Sequence, residues 1–217
     1  MHTTPPRKTK GPKPKLRGVS HLLGAIATLP AGYILRGKAA GSESATPLTV
    51  YLAGLFLLLG VSALYHVPMW APRVRANLRR LDRSMIYVFV AGTYTPLVVK
   101  LGASVWGYTL HAVWAAALSG VAIAIFVSGA PRWVTALPYV VLGWGAVILM
   151  PEIYSQLGAS PFWLITLGGI LYTIGAISYA FKLPDPFPAV FGYHEIFHLL
   201  VVIAAALHYA AILEIST

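Results

Sequence analysis

Two histidines near the C-terminal end of the chain have the residue type and the spacing of metal ligands. His194 and His198 are four residues apart in the stretch 191–198, so in a helix their imidazoles project from one face about one turn apart. Glu195 completes the pattern H-E-x-x-H, in which two histidines hold zinc and the glutamate polarises a water molecule. The sequence therefore predicts a zinc site at the start of this helix.

A zinc centre on these two histidines needs a third ligand from elsewhere in the chain. In a soluble zincin that ligand follows downstream, but the next acid after His198 is Glu214, about 24 Å further along a helix. An upstream ligand is therefore expected, and His66 is the candidate, although a single interfacial histidine is more often a polar cap. Glu195 points about 100° away from His194, so it either acts as the zincin-type base or faces arginine and lysine side chains.

Two further polar side chains accompany His66 as site candidates. Ser62 lies one helical turn before His66, where its hydroxyl can bond the backbone or orient a ligand or a substrate carbonyl. Asp82 stands just before the next apolar segment, where a carboxylate caps the free N–H groups of a helix start. Capping is compatible with a role in the site, so Asp82 and Ser62 are the predicted catalytic residues.

The composition shows that this site belongs to a membrane protein. The 217-residue chain is 58% hydrophobic and 10% charged, with a mean hydropathy of +0.73, far from the balance of a soluble domain. Cysteine is absent, which excludes disulfides and thiolate ligands. The net charge of +10 falls in short stretches between apolar segments, so membrane topology explains it better than nucleic-acid binding does.

The order of basic and apolar segments predicts the domain organisation. Residues 1–17 are basic, proline-rich and without apolar periodicity, which predicts a disordered cytoplasmic tail. Residues 18–217 are predicted to form one transmembrane domain, an all-α bundle of seven helices. Its apolar segments are each near the ~20 residues that cross a bilayer. We place them at about 19–35, 48–66, 84–101, 106–128, 133–152, 161–181 and 192–213.

The positive charges predict the orientation of these segments. Of the 16 lysines and arginines, 13 fall on the side of the N-terminus, which predicts a cytoplasmic N-terminus and an outside C-terminus. One geometric consequence is that the end of the second segment and the starts of the third and seventh meet at the same face. His66, Asp82 and the histidine pair are therefore expected at one depth, where the helix ends can converge on a single ion.

Other polar residues within the segments have structural and functional interpretations. The run Ala91-Gly-Thr-Tyr-Thr-Pro96 interrupts the third segment with a glycine and a proline, which predicts a kink and a close helix approach. In a second interpretation Thr93 and Tyr94 are polar contacts in the wall of a substrate cavity. His208 is too far from the histidine pair for the same ion and is expected to line a cavity. His21 is expected to be a core or interfacial residue.

The motifs together resemble the signature blocks of the hemolysin III proteins, the bacterial branch of the progestin and adipoQ receptor family. The similarity runs in order through the chain and includes the opening Ser20-His21-Leu-Leu-Gly24. The three main blocks are Ser62-Ala-Leu-Tyr-His66, Asp82 followed by Ala91-Gly-Thr-Tyr-Thr-Pro96, and Gly192-Tyr-His-Glu-Ile-Phe-His198. The resemblance implies a seven-helix bundle in the plasma membrane, with its N-terminus and a zinc ion at the cytoplasmic side.

The resemblance also implies roles for individual residues. His66, His194 and His198 match the zinc histidines of the family, Asp82 matches the acid near the zinc-bound water, and Ser62 matches the serine one turn before the first histidine. The wider superfamily includes alkaline ceramidases, which implies hydrolysis of lipid amides. The large N-terminal domain of the eukaryotic receptors is absent here, so hormone binding is not carried over.

Several functions are compatible with these features. The leading hypothesis is a zinc-dependent hydrolase of lipid amide or ester bonds, with a membrane lipid in the bundle interior. A second is a membrane-perturbing, hemolysin-type protein, although the segments lack a repeated line of polar residues for a water path. A third is a receptor or membrane-homeostasis protein in which zinc only clamps helices. An intramembrane protease is disfavoured because no acid follows the histidine pair closely. Whether the chain is an enzyme stays open at this point.

Overall fold

The protein folds as a bundle of α-helices in a computed structural model that describes residues 13–38, 45–127 and 132–216. Within these ranges no β-strand is present, and the all-α prediction is confirmed. A 3₁₀ segment (Gly145–Leu149), a short α-helical turn (Met150–Glu152) and a π-helical segment (Ile153–Leu157) extend the fifth helix. The seven helices are α1 (Val19–Lys38), α2 (Ala45–His66), α3 (Pro72–Lys100), α4 (Ala103–Phe126), α5 (Arg132–Trp144), α6 (Ala159–Phe181) and α7 (Tyr193–Ile215).

The helices form a closed ring in chain order. Each helix packs against the next one along the chain, and α7 returns against α1. Helix α3 also contacts α5 and α7, so it is the helix with the most neighbours and crosses the bundle interior. Residues on the inner face of α3 are therefore placed next to α2 and α7 at once.

The apolar lengths of the helices fit a multi-pass membrane protein. Among the residues that the structure describes, five helical segments are long and apolar enough to cross a bilayer. Helices α1 and α3 complete the bundle beside them. The five segments are Ala45–His66, Gly107–Phe126, Leu137–Leu157, Ala159–Phe181 and Tyr193–Ile215.

Helix α3 begins about three turns earlier than its apolar segment indicates. It starts at Pro72, in the first helical position that proline favours, with Ala71 as its N-cap. The polar residues that follow include several arginines, which are good helix formers although they are not apolar. The prediction that Asp82 caps the helix is therefore wrong: Asp82 lies inside α3, and its carboxylate is available to the site.

Two glycines bring α2 and α3 together. A Cβ added at Gly54 would lie 3.4 Å from Phe89 Cα, and one added at Gly92 would lie 3.4 Å from the Val50 carbonyl oxygen. The predicted close approach at Gly92 is confirmed, since the backbones meet where a side chain is lacking. This crossing fixes the distance between α2, which carries His66, and α3, which carries Asp82.

Residues 13–18, the N-terminal strap, lie across one end of the bundle. The backbone N–H groups of Lys15 and Leu16 donate to the carbonyls of Ala189 and Val190, at 3.1 and 3.2 Å. The Lys13 ammonium donates to the Val67 carbonyl at 2.8 Å. Of the tail predicted to be disordered, residues 1–12 lie outside the described residues, whereas 13–17 are held by these bonds.

Candidate metal centre

Three imidazoles from two distant parts of the chain meet at one end of the bundle. His66 is the last residue of α2, and His194 and His198 lie in the first two turns of α7. Their ligand nitrogens all lie within 4.8 Å of one another, and the Nε2 atoms of His66 and His194 are 3.3 Å apart. His66 and His198 are buried, with 6% and 2% of their surface exposed. The three residues are positioned to hold a metal ion together.

The donor set and its spacing fit zinc. Two nitrogens bound at about 2.05 Å to a tetrahedral ion lie about 3.3 Å apart, which is the separation between His66 and His194. One neutral imidazole can also donate an N–H hydrogen bond to the other at that distance. The Nδ1 atom of His198 is buried and has no hydrogen-bond partner among the described residues. A set of imidazole ligands that contains no thiolate is suited to zinc and to related divalent transition metals.

Asp82 and Ser62 lie beside the imidazoles. The Oδ2 atom of Asp82 is 3.8 Å from Nε2 of His66, too far for a direct hydrogen bond. Ser62 lies next to the Asp82 carboxylate, and only 1% of Ser62 is exposed. The interpretation in which Ser62 orients a ligand or a substrate carbonyl stays a prediction.

Glu195 has a structural position at the start of α7. Its Oε2 atom accepts the backbone N–H of Gly192 at 2.9 Å, which closes a capping box, and its Oε1 atom binds Nε of Arg17. Both carboxylate oxygens are therefore engaged, and Glu195 is not part of the group of converging ligand atoms. Of the two interpretations of Glu195, the one in which it faces a basic side chain describes the structure.

His21 adds a fourth imidazole that the sequence analysis did not place in the site. Its ring stacks on His198 from α1, with centroids 3.9 Å apart and an interplanar angle of 18°. It is buried, as expected for a core residue, and neither ring nitrogen has a hydrogen-bond partner within the described residues. The sequence held one indication that His21 belongs to the site, namely its position in the opening block of the family resemblance.

A cavity of about 1310 Å³ extends from the metal centre into the bundle. The three histidines, Asp82 and Ser62 line it at one end, and apolar side chains such as Phe89, Ile165 and Val201 line its interior. Thr93 and Tyr94 are part of the wall, as one interpretation of their segment predicted. His208 also lines the cavity, about 15 Å beyond His198 along α7, as expected.

The fold and the site define a multi-pass helical membrane protein in which three histidines positioned to hold a metal ion lie beside an internal cavity. The chain belongs to the family described as Haemolysin-III related, which matches residues 10–209. The resemblance seen in the motifs is thereby confirmed. The plasma membrane is the expected location for a bacterial member of this family.

Individual relatives agree with this assignment. The chain is 34% identical to Hemolysin-3 of Bacillus cereus over 200 residues, which cover 90% of this chain and 88% of that protein. It is 32% identical to the Hemolysin-3 homolog of Bacillus subtilis (strain 168) over 199 residues, or 90% of each chain. A more distant relative is the Adiponectin receptor protein of Drosophila melanogaster, with 25% identity over 231 residues, 91% of this chain and 49% of that protein. Such relatives place the family within the progestin and adipoQ receptors.

Proposed function

We propose that this protein is a zinc-dependent hydrolase of lipid amide or ester bonds. The observation that carries the proposal is the combination of three converging imidazoles, a carboxylate 3.8 Å from one of them, and an apolar-walled cavity that begins at the same point. Zinc bound by three imidazoles supplies Lewis acidity, which polarises a carbonyl and lowers the pKa of water to about 7. A metal that only clamps helices needs neither the carboxylate nor the cavity.

Asp82 is the acid–base group in this proposal. Its carboxylate accepts the proton of the attacking water and returns it to the departing amine nitrogen or alcohol oxygen. Ser62 is a positioning residue in this proposal, because it lies next to the Asp82 carboxylate and its hydroxyl can donate to that carboxylate beside His66. The apolar cavity wall holds the hydrocarbon chain of the lipid and excludes bulk water from the reacting carbonyl.

Zinc content and turnover, measured on the same purified proteins, test the proposal. The wild type is expected to contain zinc and to hydrolyse members of a panel of lipid amides and esters. His194→Ala is expected to lose the zinc. Asp82→Asn is expected to keep the zinc and to lose about 10²- to 10⁴-fold in turnover. Zinc that persists in His194→Ala, or turnover unchanged in Asp82→Asn, would contradict the assigned roles.

A structural zinc is the second candidate function. The ligands join the end of α2 to the start of α7, so a bound ion would stabilise the bundle without any reaction. Unfolding on chelation, with no turnover on any lipid of the panel, would favour this function.

The name of the Bacillus cereus relative, Hemolysin-3, also suggests membrane perturbation as an alternative function. Liposome leakage that is unchanged in His194→Ala would favour that alternative.

A further inference from the structure

A group of cations surrounds the end of the cavity where the histidines lie. Two belong to the N-terminal strap and four to the first half of α3. Residues 75, 79 and 83 are spaced four apart and so lie close to one another along one side of that helix. The group, hereafter the basic mouth, consists of Lys13, Arg17, Arg75, Arg79, Arg80 and Arg83, all of which line the cavity.

The strap and α3 bring these charges close to one another. Partial burial, and then the nearby charges of Arg75 and Arg17, lower the pKa of Lys13. The contribution of Arg75 shows that a positive charge of α3 lies near one of the strap, and both residues line the cavity. An anion between them would relieve the repulsion.

The protein itself supplies few anions to the mouth. The two carboxylates nearby are Glu195, which is bound to Arg17, and Asp82, which lies next to Ser62 and faces the charge of Arg83. Within the described ranges, the side chains of Arg79 and Arg80 make no hydrogen bond or ion pair with a protein group. Both are exposed and are therefore available to an external anion.

Membrane topology alone does not explain this arrangement. A topology signal requires positive charge near the bilayer surface, but it does not require that the charges line an internal cavity. Lys15 and Arg73 belong to the same two elements as the basic mouth and do not line the cavity. These two residues serve as matched controls for total charge.

The order of residues along α3 indicates what kind of anion fits. Arg75, Arg79 and Arg80 come first, Asp82 and its neighbour Arg83 follow at the depth of the histidines, and the apolar wall residues come last; these are Phe89 and Leu97. A ligand lying along this helix would have an anionic head, a hydrolysable bond at the depth of Asp82, and a hydrocarbon chain. Guanidinium groups match phosphate oxygens in geometry and charge.

We propose that the basic mouth binds the phosphate of an anionic phospholipid whose acyl chain enters the cavity. This inference rests on the proposed function and names its substrate class. The bond that is hydrolysed is the acyl ester bond of a phosphate-bearing lipid. In the reaction the oxygen of water bonds to the acyl carbon, the ester C–O bond breaks, and the proton passes through Asp82 to the departing oxygen. The products are a fatty acid and a lysolipid that keeps the phosphate.

Lipid binding to the full-length, zinc-loaded protein tests the proposal without any need for turnover. Native mass spectrometry in detergent can compare phosphatidylglycerol with phosphatidylcholine of identical chains, using Asp82→Asn so that no lipid is consumed. The anionic lipid is expected to bind about tenfold more tightly. The double variant Arg79→Gln, Arg80→Gln should lose this preference, whereas Lys15→Gln, Arg73→Gln should keep it. Equal affinity for the two lipids, or equal loss in the two double variants, would overturn the proposal.

Two further binding experiments identify the anion. Inorganic phosphate that displaces phosphatidylglycerol at a similar concentration would show a site for free phosphate and overturn the lipid assignment. Oleate that binds as tightly as phosphatidylglycerol would overturn the assignment to phosphate. Zinc content and unfolding temperature of each variant show that it is folded. Selective binding without hydrolysis would count against the proposed function alone, so the two proposals fail in distinguishable ways.

Discussion

Gly18 places the N-terminal strap in contact with the metal centre. Its φ of +84° is a conformation that side chains other than glycine rarely adopt. A Cβ on Gly18 would also lie 2.6 Å from Cβ of His66. The position therefore requires glycine both for its backbone and for the space beside a metal ligand.

Substitution of Gly18 is expected to affect both stability and metal content. Gly18→Ala should lower the free energy of unfolding by about 1–3 kcal/mol, because of backbone strain and the clash with His66. Displacement of His66 should also reduce the zinc bound after purification. The matched control is Gly37→Ala at the end of α1, where an added Cβ meets nothing within 4 Å. Thermal unfolding and metal analysis of the two variants provide the comparison, and equal behaviour would contradict this account.

The sequence predicted some residues of the site and missed others. The prediction that His194 and His198 form a ligand pair followed from helical spacing, which is a local property of the chain. The prediction of His66 as the third ligand depended on the membrane depth of each helix end, which was inferred from the lengths of the apolar segments. His21 and the partner of Glu195 were not found, because contacts between helices that are far apart in sequence leave no periodic signal.

Helix α3 has several roles in one element. Its first half carries Asp82 together with the arginines of the basic mouth, and its second half crosses α2 and forms part of the cavity wall. The sequence missed the first three turns because hydropathy identifies the apolar part of a helix and not its polar extension. The extension places the arginines on the same rigid element as Asp82.

The crossing of α2 and α3 at Gly92 should control the position of Asp82 more than that of the metal ligands. Gly92→Leu is expected to separate the two helices and to cost about 1–3 kcal/mol through overpacking. The histidines proposed to bind zinc lie on α2 and α7, so zinc content should change little while turnover falls. Gly60→Leu on α2 is the control, since nothing lies within 4 Å of a Cβ there. Loss of zinc in Gly92→Leu, with retention in the control, would contradict this separation of roles.

At the scale of the whole molecule, the helical bundle was predictable and its orientation is still a prediction. Apolar run lengths indicated seven helices, because a bilayer crossing imposes a minimum length on each. The excess of positive charge on one side predicts a cytoplasmic N-terminus, with the metal centre on that side. The closed ring of helices does not itself distinguish the two orientations.

Single-cysteine labelling can determine the orientation, because the chain contains no cysteine of its own. Lys38→Cys and Arg73→Cys place one thiol at each end of the bundle, and both positions are exposed. A membrane-impermeant maleimide applied to intact cells is expected to label the first variant only, and to label the second after lysis. The opposite pattern would show an external N-terminus and an external metal centre.

The N-terminal strap also affects how the protein should be produced for study. Because residues 13–18 bond to Val67, Ala189, Val190 and Glu195, shortening the chain from its N-terminus would remove part of the enclosure of the metal centre. Affinity tags and protease cleavage sites are therefore better placed after Ile215, where α7 ends at the opposite end of the bundle. Samples prepared in that way keep the strap seated against His66 when metal and lipid are measured.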